Sequence, residues 1–271
     1  MSAENLDSGE FETLSRFVER ELDFVTSHYN DSYLQRRIRS RMRRTDTETY
    51  DEYLDTLLSD PNEGEALLNA LSINVTAFFR NPDVWEGVRT VLRELSDRRS
   101  TVRIWSAGCA DGREPYSLAM LALDDPSIDA GRVRITGTDV NHAALDAARD
   151  GVYVSTHTVD VAAQLDFLDD HRPYVEQEDD EFRVRSTVRD LVSFQHHDLI
   201  ADEPLGGHDL VCCRNLFIYI DAAYKKPIVE SLTKSLNSNG YLVIGKAETL
   251  PRDARDGYAV ADSDRRIYLR E

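Results

Sequence analysis

The stretch Ile104-Trp105-Ser106-Ala107-Gly108-Cys109-Ala110-Asp111-Gly112-Arg113-Glu114-Pro115-Tyr116-Ser117-Leu118-Ala119-Met120 decides the fold. An apolar strand runs into two glycines and then into a helical pattern, a geometry that sets a small-molecule ligand at the carboxyl edge of a parallel sheet. Gly108 and Gly112 are separated by three residues, so the turn differs from the GxGxxG loop that cradles a dinucleotide pyrophosphate. Glu114 stands where that loop would offer bare backbone N–H groups, and a carboxylate there suits a cationic ligand better than a phosphate. An ordinary strand-to-helix turn is the plain alternative.

Outward from this stretch, Arg132-Val133-Arg134-Ile135-Thr136-Gly137-Thr138-Asp139 reads as a second strand ending in an acid. Asp139 can accept both hydroxyls of a ribose; its other reading is a cap for the helix over 141–150. Strands are predicted at 101–107, 132–138, 188–195, 208–214 and 240–246, with helices near 114–123, 141–150 and 222–236. That alternation specifies a doubly wound α/β domain. Pro227 either starts the last helix or kinks it, and 258–260 with 266–269 look like a closing hairpin. Residues 151–187 interrupt the alternation with a helical piece near 161–168 and short β-like runs such as 182–185, and read as a small inserted β-subdomain.

Ahead of the first strand the apolar residues recur at helical spacing: Phe11, Leu14, Val18, Leu22 and Val25; Tyr50, Tyr53, Leu54, Leu57 and Leu58; Leu67, Leu68 and Leu71; Val84, Trp85, Val88, Val91, Leu92 and Leu95. An all-helical amino-terminal domain is therefore expected over 1–97, and the sheet domain over 98–271. Asn81-Pro82 supplies an N-cap and an N1 proline for the last of these helices.

The chain carries 50 acidic against 32 basic residues, a formal net charge of −18. Only four of the basic residues, Lys225, Lys226, Lys234 and Lys246, are lysines. Such a balance disfavours nucleic acid as a partner and suits solubility in strong brine, where charge repulsion is screened over about 3 Å at 1 M salt. There is no apolar run long enough to span a bilayer and no export signal in 1–10. Cys109, Cys212 and Cys213 lack metal-ligand or CxxC spacing. A cytoplasmic protein with reduced thiols and no metal site is expected, without membrane insertion and as a monomer.

One segment runs against the acidic background. Residues 34–44, Leu-Gln-Arg-Arg-Ile-Arg-Ser-Arg-Met-Arg-Arg, hold six arginines and no acid. Leu34, Ile38 and Met42 form the buried stripe of a helix, so the arginines fan over the rest of its circumference. A solvated face paired with nearby carboxylates is one reading; the missing acids at i±4 favour an external anionic partner, with Arg36, Arg39 and Arg43 as its docking residues.

Three separated motifs complete the pattern: Asn74-Val75-Thr76-Ala77-Phe78-Phe79-Arg80; Trp105 to Cys109 leading into Gly112-Arg113-Glu114-Pro115-Tyr116-Ser117; and Cys213-Arg214-Asn215-Leu216-Phe217-Ile218-Tyr219-Ile220-Asp221. Together, over about residues 11–271, they resemble the chemotaxis receptor methyltransferase family, CheR. The resemblance implies a Rossmann-like class I methyltransferase sheet and transfer of a methyl group from S-adenosylmethionine, leaving S-adenosylhomocysteine. The implied acceptors are glutamate side chains on the cytoplasmic helices of chemoreceptors, whose methylation tunes sensory adaptation. It further assigns Asn74, Thr76 and Arg80 to the cofactor and active site, Glu114 to the amino group of the methionine part and Asp139 to the ribose. Asp198 and Leu199 would hold the adenine, Cys213 and Arg214 flank the cofactor tail, and Tyr219 face the transferred methyl. Arg80 and Tyr219 are the implied catalytic pair.

Two positions depart from the family pattern. Asp198 replaces an Asn and can accept from an exocyclic amine but not donate. Arg113 replaces the first Glu of Gly-Glu-Glu-Pro-Tyr-Ser and, beside a sulfonium, should face solvent or a local carboxylate. Phe78 and Phe79 read as packing. A non-catalytic cofactor-binding scaffold of a receptor array and a small-molecule methyltransferase remain as alternatives.

Overall fold

A computed structural model describes residues 3–22, 24–71 and 76–271. The chain divides into two compact units, 1–73 with 219–224, and 74–218 with 225–271. The first holds α1 (Ala3–Glu21), α2 (Asp31–Met42), α3 (Tyr50–Ser59) and α4 (Pro61–Leu71). Its core is the predicted stripes: Phe11, Leu14, Val18, Leu34, Ile38, Met42, Tyr50, Tyr53, Leu57, Leu67 and Leu71 are buried together. Two expected members stay outside. Val25 is 42% exposed because α1 has already ended, and Leu58 is 66% exposed because its neighbour Leu57 takes the inward direction, about 100° away around the helix. The start of α3 is fixed by a capping box in which Thr49 and Glu52 satisfy each other's backbone N–H.

Residues 219–224 join this unit through backbone bonds. Asn30 donates to the Tyr219 carbonyl (2.9 Å) and Asp221 to the His28 carbonyl (3.0 Å), and Tyr29 bridges Ile220 antiparallel. The Tyr219 ring lies 4.9 Å from that of Tyr33.

The second unit opens with α5 (Pro82–Arg98). Its stripe of Val84, Trp85, Val88, Val91, Leu92 and Leu95 is buried in the same cluster as the sheet residues Val102, Ile104, Leu210 and Val243. The expected boundary near 97 therefore differs from the division in the structure: α5 has helical periodicity, but its apolar face belongs to the sheet. At Gly87 a Cβ would come within 2.7 Å of Ile267, so a bare backbone lets the last strand approach α5. Asn81 does stand at the N-cap with Pro82 at N1, but it adopts a left-handed φ of 60° and its side chain does not cap.

Strands β1 (Val102–Ala107) and β2 (Val133–Asp139), with helices α6 (Arg113–Asp124) and α7 (His142–Asp150), follow in the predicted order. The insert then contributes β3 (Val152–Val154), α8 (Val161–Leu165), β4 (Val175–Glu178) and β5 (Glu181–Val184). Its three strands form a separate antiparallel sheet, β3-β5-β4. The strand expected from 188 begins later: Ser186–Arg189 is a helical turn, α9, and β6 spans Val192–His196. The turn forms because Val188 and Arg189 bond back to the Arg185 carbonyl.

The chain ends with β7 (His208–Cys213), α10 (Ala222–Ser235), β8 (Leu236–Ile244), β9 (Tyr258–Asp262) and β10 (Ile267–Arg270). α10 begins ahead of Pro227 and runs through it. The main sheet has the order β6-β2-β1-β7-β8-β10-β9. Its first five strands are parallel, and β10 and β9 close the edge as an antiparallel hairpin. The order reverses at β1, so the crevice beyond the carboxyl ends of β1 and its neighbours is the ligand position of an open α/β sheet. All three cysteines are buried and free, and among the described residues no helix is long and apolar enough to cross a membrane.

Candidate active site

The turn after β1 is shaped by three residues of positive φ: Gly108 (73°), Ala110 (48°) and Gly112 (86°). Gly108 and Cys109 both donate to the Thr138 carbonyl at 2.8 Å, tying the turn to the end of β2. Gly112 is required twice, by its φ and because a Cβ would meet Ala148 at 2.8 Å.

Glu114 lies in the first turn of α6, where the helix dipole favours a carboxylate. One oxygen accepts from Ser106 Oγ (2.9 Å) and the other from Arg214 Nη1 (3.2 Å). Asp139 ends β2 and does not cap α7; that task falls to Asn141, whose side chain accepts from Ala144. The Asp139 oxygens instead accept from the backbone N–H of Asn141 (2.9 Å) and of Ala110 (2.8 Å). Burial pushes its carboxyl above the ordinary range, against the pull of these hydrogen bonds. Each oxygen keeps a lone pair for a further donor.

Residues 76–81 form a braced loop. Phe78 N–H donates to Gln164 Oε1 and Phe79 N–H to Ser117 Oγ, each at 3.0 Å. Both rings are buried packing, as expected. Trp85 Nε1 donates to the Arg80 carbonyl (3.0 Å), while Arg80 itself is partly exposed. Arg214 is the central brace: Nη1 faces Glu114, and Nη2 donates to the Arg80 carbonyl (2.6 Å) and Asn81 Oδ1 (3.3 Å). Its guanidinium lies 5.4 Å from the Trp85 ring centroid. The sequence marks Arg214 only as a cofactor neighbour; nothing local reveals a partner 100 positions away.

Arg113 does not face solvent. It pairs with the local carboxylate of Asp111 (3.5 Å), donates to the Thr76 carbonyl (3.1 Å) and lies over the Tyr153 ring at 5.0 Å. Its charge is thus answered within the loop by an acid the sequence reading did not single out. Tyr153, also unanticipated, donates to the Asp111 carbonyl at 2.7 Å.

A carboxylate at the end of β2 and another at the N-terminus of α6, with the glycine turn between them, fit a ligand that has a cationic end and a ribose. Comparison with known proteins agrees. Residues 74–267 match the CheR methyltransferase SAM binding domain and residues 9–72 the CheR methyltransferase all-alpha domain. The chain belongs to the CheR methyltransferase family. It is a methyltransferase that uses S-adenosylmethionine. A chemotaxis protein methyltransferase of Listeria monocytogenes is 32% identical over 251 residues, covering 92% of this chain and 93% of the relative. One of Vibrio parahaemolyticus is 29% identical over 264 residues, covering 92% of each.

The remaining expected positions of this CheR family chain are less uniform. Asp198 Oδ1 accepts from the backbone N–H of Ile200 (2.7 Å) and of Ala201 (3.2 Å), turn bonds that ask only for an acceptor. Leu199 is buried beside it. Cys213 is fully buried at the end of β7, and burial raises its thiol pKa well above the ordinary value. Tyr219 is partly exposed and groups with the helical unit. Asn74 lies outside the described residues. Arg36 and Arg39 on α2 and Arg43 just past its end are exposed, although Arg39 Nε also reaches Tyr50 Oη at 3.1 Å. Arg41 is withdrawn from the ridge by Glu63 of α4, which it meets through Nε at 2.9 Å and Nη2 at 2.5 Å.

Proposed function

We propose that this chain is a chemotaxis receptor methyltransferase, acting in the cytoplasm as a monomer on glutamate side chains of chemoreceptor helices and so tuning sensory adaptation. The observation that carries the macromolecular, acidic acceptor is the exposed row Arg36, Arg39 and Arg43 on a chain of net charge −18. Such a row complements an acidic helix and steers its approach. The names of the curated relatives support the chemotaxis setting.

S-adenosylmethionine supplies a methyl group already activated on a sulfonium. A glutamate, with an ordinary pKa of about 4.3, is ionised at neutral pH, so the chain needs no general base. Its task is placement. Holding an acceptor oxygen in line at about 3 to 3.5 Å contributes roughly 7 to 11 kcal/mol when alignment is good.

In this reading Glu114 anchors the donor's amino group and Asp139 its ribose. Asp198 and Leu199 hold the adenine, while Asn74, Thr76, Cys213 and Arg214 line the tail. Arg214 offsets part of the Glu114 charge, yet Asp111 and Asp139 keep the loop's acids ahead of its two guanidiniums. Arg80 and Tyr219 orient the acceptor; a tight ion pair from Arg80 would blunt the nucleophile, so positioning, not charge neutralisation, is its role. Incubation with methyl-tritiated S-adenosylmethionine and receptor-containing membranes should place alkali-labile label on the receptors. Binding of the donor without any transfer to receptors would sink this reading in favour of a scaffold.

A further inference from the structure

At the carboxyl edge of the sheet, β7 and β8 end side by side, with Cys213 in register with Ile244. Each strand is followed by a tight turn, and one buried side chain grips both. Glu248 is 3% exposed. Its Oε2 accepts from Gly245 N–H (2.6 Å) in its own turn and from Asn215 N–H (2.9 Å) in the turn after β7, while Oε1 lies 3.4 Å from Ile218 N. Among the described residues its partners are backbone N–H groups, and it forms no ion pair.

Two further features are built around this carboxylate. A Cβ at Gly245 would lie 2.5 Å from Glu248 Oε2 and 2.8 Å from Asn215 N, so only glycine leaves room for the grip. Asn215 adopts a φ of 62°, a left-handed conformation that costs energy for a residue other than glycine and persists when its surroundings impose it. Leaving a carboxylate buried without a cation is expensive; an apolar residue could fill the same space at less cost but could not collect three N–H groups from two turns.

We propose that Glu248 is a positioning residue for methyl transfer, clipping the 215–218 turn to the end of β8 and so fixing the residues on either side of that turn, Arg214 and Tyr219. The inference rests on the roles given above to those two residues. Glu248 touches neither donor nor acceptor; it sets the path of the backbone that carries them.

The test is a double-mutant cycle on the full chain with receptor membranes as substrate: wild type, Tyr219→Phe, Glu248→Gln and the double variant, each with kcat and the dissociation constant for S-adenosylmethionine. Glutamine has one acceptor oxygen, and its NH2 would confront a backbone donor. Glu248→Gln should lower kcat by at least about tenfold, with donor affinity moving less than about threefold. The double variant should be no slower than the slower single, because one effect acts through the other. Wild-type kcat for Glu248→Gln, or multiplied losses in the double, overturns the inference. If Tyr219→Phe alone keeps wild-type kcat, the role of Tyr219 itself is wrong, a separate result. Should Glu248→Gln fail to fold, Gly245→Ala replaces it in the cycle, and the same outcomes decide.

Discussion

Asp139 shows how a single residue carries both architecture and chemistry. Its oxygens already hold Ala110 and Asn141, so the carboxylate fixes the turn it is proposed to bind through. Charge-assisted hydrogen bonds contribute about 1.5 to 3 kcal/mol each, and Asp139→Ala should weaken S-adenosylmethionine at least about tenfold; calorimetric titration with an unchanged dissociation constant and an intact fold would refute the ribose role. The sign of the pH dependence follows from burial, which raises the Asp139 pKa. The ionised form accepts the hydroxyls, so donor affinity should fall on acidification, beginning above the range of an ordinary aspartate near about 3.9. In Asp139→Asn that acid limb should vanish. Arg80→Ala and Tyr219→Phe should instead lower kcat more than donor affinity, since both are assigned to orientation. Steady-state kinetics beside calorimetry separates the two behaviours.

At the scale of elements, α2 is held to α4 by a charge network. Glu63, 5% exposed, accepts from Arg41 and from Tyr53 Oη at 2.5 Å. Burial alone would raise the Glu63 pKa, but the bonds from Arg41 and Tyr53 overcome it and hold the carboxyl below its ordinary value. The stability this supplies is present above the unfolded pKa, about 4.3, and lost as pH falls through the lower folded value. Glu63→Ala strands Arg41 and should cost about 3 kcal/mol. Urea unfolding at pH 7 reads the loss, and the gap to wild type should narrow in acid. The outer face of α2 behaves independently. Arg36, Arg39 and Arg43 changed together to Gln should raise the receptor KM and leave donor affinity alone. Equal receptor methylation at the lowest salt that keeps the chain folded would reduce the row to a solvated face.

For the whole molecule the net charge of −18 sets the response to salt. Self-repulsion opposes the folded state, and the screening length falls from about 10 Å at 0.1 M to about 3 Å at 1 M. Thermal stability should therefore rise with sodium chloride over that range. The same salt should raise the receptor KM, because it screens the arginine row as well. A melting temperature that falls with salt would show that repulsion is not the dominant electrostatic effect.

The sequence by itself determined the strand–glycine–helix turn, the order of strands and helices and the inserted sheet, because each follows from local spacing and from φ values that few residues tolerate. It also determined the family, through three motifs in fixed order. Only the tertiary structure decided which helix belongs to which core: α5 and α1–α4 share one periodicity, and periodicity does not say what an apolar face will meet. The same holds for the charges. Arg41 looked like one more arginine of the ridge until Glu63 met it, Arg113 was left between solvent and a local carboxylate until Asp111 and Tyr153 enclosed it, and nothing in the sequence marked Glu248, on which two turns close. Most of these partners lie tens of positions apart and are chosen by the packing of the chain, which sequence spacing does not specify.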